Sequence, residues 1–145
     1  MISKVIQSNE LLEIVGIADL DQIARLIDAG ANPNFRDVLD GGTCLHRVAG
    51  SGKTDTMCYL LEHGADPNIL TQNCSTSPLG IAALAGKLEI VRMIIRFGGK
   101  LSEREESTGL VAELREAGFG SIAQLLEYRV PLSSDTLTER ETTQR

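Results

Sequence analysis

At 145 residues the chain is one domain's worth of sequence. Its apolar content of 42% is enough for a packed core, but only 3% is aromatic and there is no Trp, so Leu, Ile, Val and Ala must build that core in thin, similar layers rather than one large centre. A net charge of −6 argues against nucleic acid, whose binders present clustered Lys and Arg.

The charge is uneven. Residues 1–42 carry three basic side chains (Lys4, Arg25, Arg36) against seven acidic ones (Glu10, Glu13, Asp19, Asp21, Asp28, Asp37, Asp40), a balance of −4. Residues 77–107 carry five basic and four acidic, a balance of +1. The acidic end serves solubility and also suits a protein partner with a basic surface. The opening MISKVIQSNELLEIV lacks the apolar run and small-residue cleavage site of a signal peptide. No run approaches the roughly 18 apolar residues of a membrane span. Cys44, Cys58 and Cys74 are odd in number and show no paired spacing. The expectation is a cytoplasmic protein whose thiols are small apolar fillers.

In chain order, one unit recurs. Asn9, Thr43 and Ser77 lie 34 apart, as do Gly30, Gly64 and Gly98, and Asn34, Asn68 and Ser102. The pairs Leu26-Ile27, Leu60-Leu61 and Ile94-Ile95 keep the same step. A fourth, worn copy is expected 31 residues on from the third, with Thr108 in the place of Thr43 and Leu125-Leu126 in that of Leu60-Leu61. The clearest copy is the second. Thr43-Cys44-Leu45-His46 opens a short helix that Gly52 closes, and residues 54–63 make a second helix. Ala49 and Ala82-Ala83 are small enough to let neighbouring units approach. Met57, Leu60 and Leu61, then Val91, Ile94 and Ile95, fall at helical spacing. Gly64 ends the helix in the left-handed region, and Asp66 and Asn68 bond the local backbone of the turn. One unit is too small to fold alone, and stacking buries its leftover faces.

These residues resemble the ankyrin repeat, T-P-L-H-x-A-A-x-x-G followed by a helix ending L-L-x-x-G-A-x-x-N. The second unit carries the pattern from Thr43 to Asn68. The third carries Ser77-Pro78-Leu79, Ala82-Ala83, Gly86 and Gly98, and the first mainly Leu26-Ile27-Asp28-Ala29-Gly30-Ala31-Asn32-Pro33-Asn34. The period of 34 is one longer than the family's 33, and the extra residue is placed in the loops at 35–42 and 69–76. The resemblance implies an all-α solenoid of stacked helix-turn-helix units with projecting loops. It is one domain over residues 1–133, with repeats at 5–38, 39–72, 73–103 and 104–133 and a disordered polar tail at 134–145. Glu10 and Glu13 in the first unit read as an end cap facing water. So do Glu113, aligned with Val48 and Ala82, and Arg129 in place of the helix-ending Gly. Arg47 stands where an apolar residue is usual.

Chemical motifs give way to structural ones. Gly50-Ser51-Gly52-Lys53-Thr54 mimics the end of a phosphate-binding loop, but the Gly required five residues before Gly52 is Arg47, and a helix rather than a strand precedes it. The stretch reads as the turn between two helices. His46 is the repeat's histidine, whose imidazole, with the Thr hydroxyl, ties the loop to the helix start in the family. Cys44, Cys58, His63 and Cys74 lack zinc-ligand spacing. Glu103, Glu105 and Glu106 read as a solvated loop. No nucleophile, base and orienting group converge, so no catalytic residue, metal or cofactor is expected.

Recognition remains. In the family, partners dock on the concave side, at the loop tips and the exposed face of each first helix. Carried over, that surface comprises Arg36, Val38, Leu39 and Asp40, then Leu70, Gln72 and Asn73, then Leu84, Arg104, Glu105, Arg115 and Glu116. Large apolar groups count most there. Leu39 and Leu84 are expected to bind, whereas Phe35 and Leu70 have packing under their own loops as the alternative, an equal one for Phe35. The expected function is protein–protein interaction by a chain that is monomeric when free, with no nucleic acid and no membrane. The role is either a general adaptor or a dedicated inhibitor of one enzyme or toxin, such as an immunity protein. Small size, the opening Met1 and the lack of a second domain fit the inhibitor.

Overall fold

The computed structural model describes residues 2–129, which hold nine helices and no strand. They are α1 (Ile2–Ile14), α2 (Leu20–Asp28), α3 (Cys44–Ala49), α4 (Thr54–Glu62), α5 (Pro78–Leu84), α6 (Leu88–Arg96), α7 (Glu103–Ser107), α8 (Leu110–Glu116) and α9 (Gly120–Arg129). The expected boundary at 133 and the tail at 134–145 lie outside the described residues.

Local chemistry sets the helix ends. Ser77 is extended, and its hydroxyl accepts the Gly80 N–H at 2.9 Å, while Pro78 occupies the first helical position, where no N–H is needed. Asp19 caps α2 reciprocally, its Oδ1 accepting from Gln22 N–H and the Gln22 side chain accepting from Asp19 N–H. The second helices close alike. Ala31, Ala65 and Gly99 each donate an N–H to the carbonyl five residues back, on Leu26, Leu60 and Ile94.

Stacking supplies what single units lack. Helices α1, α3, α5 and α8 contact in sequence as one row, and α2, α4, α6 and α9 as the other. Between the rows runs one continuous core in which Leu11, Leu45, Leu79, Ile23, Met57, Ile90 and Ile94 are buried. Each such side chain stabilises by roughly 1.5–3 kcal/mol relative to exposure. The middle helices of the first row, α3 and α5, are short and small-sided, with Val48, Ala49, Ala82 and Ala83 sealed between neighbours.

Two expectations need correction, and the first unit departs from the others. Asn9, 34 residues before Thr43, does not open a helix as Thr43 does. It lies inside α1, where its Nδ2 donates to Glu13 Oε1 at 3.0 Å, because the helix begins two turns earlier at Ile2. The residues Glu103, Glu105 and Glu106 do not form a loop but helix α7, capped by Ser102. The fourth copy follows at a step of 32, not 31. The cap pairs Ser77/Gly109 and Ala85/Ala117 show it, and so does the bond from Lys87 N–H to Ala82 O, repeated from Phe119 N–H to Leu114 O. In this register Glu113 matches Arg47 and Ile81, positions that face water wholly or in part, and Leu114 fills the buried slot of Val48 and Ala82.

Candidate recognition surface

Two loops, at 35–42 and 69–76, project from the starts of α3 and α5 and are built alike. Asp37 N–H donates to Gly42 O and Gly41 N–H to Asp37 O, and the same bonds recur 34 residues on from Thr71 to Thr76 O and from Ser75 to Thr71 O. Inside the first loop, Asp37 Oδ1 accepts Leu39 N–H and Asp40 Oδ1 accepts Gly42 N–H, both at 2.7 Å. Arg47 reaches out from α3 to Asp37 Oδ2 at 2.6 Å, so an arginine at a usually apolar position disturbs no packing. The Leu39 N–H, with Arg47 beside it, holds the Asp37 carboxyl below its ordinary 3.8.

The loops are also stapled to one another. Gln72 N–H donates to Asp40 O at 2.8 Å, Arg36 to Leu70 O at 2.7 Å, and Arg104 to Cys74 O at 3.3 Å. Below them, Asn34 bridges to the next turn, its Nδ2 donating to Gly64 O and its Oδ1 accepting Asp66 N–H. Asn68 repeats both bonds to Gly98 O and Lys100 N–H, so its side chain, expected to bond its own turn, reaches the next one instead, while Asp66 Oδ1 accepts Asn68 N–H locally.

This framework places the candidate residues. Val38 and Leu39 stand at the first tip, 90% and 82% exposed. Asp40, Gln72 and Asn73 are exposed beside them. Phe35 packs against the core, and Leu70 is half-buried. Leu70 and Arg104 line one open cleft with Ser75, Lys100 and Glu103. Leu84 is 49% exposed on α5, and the corrected register puts Gly50 and Glu116 at its position. Arg115 pairs with Glu127 of α9. A row of facing positions, Glu13, Arg47, Ile81 and Glu113, joins the candidates, and its spacing is visible in the period of the sequence.

A family model of ankyrin repeats, in three copies, matches residues 12–104, more than half of the chain. The chain belongs to the ankyrin repeat family. It is 36% identical over 59% of its length to the human 2-5A-dependent ribonuclease, covering 12% of that protein. It is 32% identical over 45% of its length to mouse ankyrin repeat domain-containing protein 40, covering 18% of it. Against the glycerophosphocholine phosphodiesterase gde1 of Schizosaccharomyces pombe it is 31% identical over 81% of its length, covering 10%. The chain thus spans less than a fifth of each of these relatives. Ankyrin repeats are in general protein–protein interaction modules.

The ankyrin histidine is present once. His46 Nδ1 lies 2.9 Å from Thr43 N and 3.0 Å from Thr43 Oγ1, and Nε2 lies 3.1 Å from Thr76 O. A backbone N–H can only donate, so Nδ1 accepts and the ring hydrogen sits on Nε2, facing the carbonyl. Burial lowers the His46 pKa below 6.5. In the next repeat Gly80 replaces the histidine and Glu105 supplies the acceptor. Its carboxylate takes Ser77 N–H at 2.9 Å, Ser77 Oγ at 2.6 Å and Ser102 N–H at 2.7 Å. Glu105, expected as a docking residue, therefore has both oxygens engaged within the fold.

The phosphate-loop look-alike is also a repeat feature. Lys53 Nζ donates to Ala18 O at 2.8 Å, across the preceding turn. Lys87 lies over Gly52 and Phe119 over Gly86 in the same way. Cys44 is buried, which pushes its thiol up to about 12, as suits an apolar filler, whereas Cys58 is half-buried and Cys74 is exposed, so the expectation fails for Cys74. Among the described residues no three His, Cys, Asp or Glu side chains are grouped to hold a metal, and no helix is long and apolar enough to cross a membrane.

Proposed function

We propose that this ankyrin domain works by binding a protein partner across its loop tips and the exposed face of its first-row helices. The observation that carries the reading is the first tip. Val38 and Leu39 are the most exposed large apolar side chains of the two projecting loops, and the loop that carries them is held by Leu39 N–H on Asp37 Oδ1 and by Gln72 N–H on Asp40 O. A rigid tip that presents apolar surface loses little entropy on docking. Apolar groups without a core role are characteristic of recognition sites. Leu84 extends the surface onto α5. The acidic first third suits a partner with basic character.

Paired affinity capture from native cells tests this. Wild type and Leu39→Asp are compared with circular dichroism confirming both folds. The reading expects at least one stoichiometric protein to be retained by wild type and lost from the variant. Capture unchanged by Leu39→Asp and Leu84→Asp together would overturn it. A single partner held at nanomolar strength, with its activity blocked, marks a dedicated inhibitor. Several weaker partners mark an adaptor.

A further inference from the structure

The first two turns of α1 have no counterpart in the other repeats, since α3 starts at Cys44 and α5 at Pro78. They carry Ile2, Val5 and Ile6, which are 78%, 54% and 62% exposed. These residues and Asn9 fall at i, i+3, i+4 and i+7, a single stripe. The buried set is Ser8, Leu11 and Leu12 on the same helix and Val15 just past its end, the same pattern shifted by six residues. Six residues at about 100° each turn the stripe roughly 120° away from the core. Lys4 falls on the inward side, where its chain passes Gly30, so it does not cover the stripe.

Followed along the helix, the stripe reaches Glu13. Leu11 and Val15 match Leu45 and Ala49 at the 34-residue step, so Glu13 matches the exposed Arg47. The stripe therefore prolongs the proposed binding face beyond the first repeat. The charge around it is mainly acidic. Glu10 and Glu13 are exposed on α1, and Asp40 is exposed on the first loop. Of the two cations on the neighbouring loop and helix, Arg47 is paired with Asp37, while Arg36 donates to Leu70 O and keeps its charge.

We infer that the exposed Ile2/Val5/Ile6 stripe of α1 is a docking site for a basic amphipathic helix, one whose apolar face is flanked by Lys or Arg. This rests on the protein-binding reading and names the chemistry of the partner at one end of that surface. Two helices pack apolar stripe to apolar stripe at 8–10 Å, and the flanking cations meet Glu10 and Glu13. A second copy of this chain is the poorer occupant, because a stripe-to-stripe dimer would bring both sets of acids together. An anionic lipid surface meets the same repulsion.

Fluorescence anisotropy on the intact protein tests the inference with two labelled peptides of about 18 residues, long enough to hold a helix. One is a Leu/Lys amphipathic helix, and the other is a Leu/Glu helix with the same apolar face. The expected result is that Leu/Lys binds, weakens as salt rises from about 50 to about 300 mM, and loses at least about tenfold in affinity to the Ile2→Ser/Val5→Ser/Ile6→Ser protein, while Leu/Glu does not bind. Glu10→Gln/Glu13→Gln provides a purely surface variant that should weaken Leu/Lys alone. Equal binding of both peptides, binding unchanged by the serine variant, binding of neither peptide, or a dimer that the serine variant abolishes would each overturn it. Leu39→Asp keeps the stripe intact. A native partner lost from Leu39→Asp but retained by the serine variant would leave the broader reading standing and remove this one.

Discussion

Glu105 does for Ser77 what His46 does for Thr43. Both side chains accept the backbone N–H of the residue that opens a first-row helix, and both also meet its hydroxyl. The histidine acts from within its own repeat. The glutamate reaches back from α7, and it can do so because Gly80 leaves the imidazole's place empty. A Cβ on Gly80 would overlap the Glu105 carboxylate.

This exchange predicts non-additive mutations. Glu105→Ala strands the Ser77 N–H and hydroxyl and should cost about 1–3 kcal/mol in urea unfolding. Gly80→His restores the family residue, yet it should destabilise the wild type because the site is occupied. In the Glu105→Ala background the same histidine should recover part of the loss. Simple addition of the two losses would show that the sites are independent.

His46 gives a pH dependence. Its folded pKa is lowered by burial below the ordinary 6.5. Above that value the ring is neutral in both states and contributes no slope. As pH falls below 6.5 the unfolded chain takes up the proton first, so stability is lost progressively down to the folded pKa. Urea midpoints at pH 7.5 and 5.5 should therefore differ more for wild type than for His46→Gln. Equal shifts would mean that the ring does not stay neutral in the folded state.

The side-chain ladder between repeats should behave as a structural staple. Asn68→Ala removes the bonds to Gly98 O and from Lys100 N–H, both near 3 Å. A loss of about 1–3 kcal/mol is expected from two partly exposed bonds, with Asn34→Ala similar because its bonds are the same. Hydrogen exchange should speed at Lys100 N–H in the first variant and at Asp66 N–H in the second.

Lys53→Ala tests the turn assignment. Its ammonium is held by Ala18 O, so the variant should lose at most about 1 kcal/mol, the scale of a single net hydrogen bond. Neither protein should gain thermal stability from ATP with magnesium. A nucleotide-dependent rise in Tm that disappears in the variant would reverse the assignment.

Much of this was legible in the sequence because repetition amplifies weak signals. The 34-residue step located the second and third units, their turn glycines and the paired asparagines, since a stacked array must repeat its caps and contacts. The step hid what was not repeated. Asn9 aligned with Thr43 by number, but no loop precedes it, and α1 simply continues back to Ile2. The fourth unit slipped by one residue because Leu125-Leu126 mimics the apolar pair, whereas Leu126 alone is buried like Ile94. Glu105 looked like surface charge. Its role needs Gly80, Ser77 and α7 in one place, which no local pattern announces. The prominence of Val38 and Leu39 was legible as loop residues without a core role. The bonds that hold the loop around them were not.

The most direct measurement is a photo-crosslinking scan in native cells, with the reactive group placed in turn at Leu39, at Leu84 and at Glu89 of α6. Leu39 and Leu84 lie on the proposed binding face, and Glu89 is an exposed position on the second helix row. The account predicts adducts to the same protein from positions 39 and 84 and none from 89. Adducts that arise from 89 and not from 39 or 84 would contradict it.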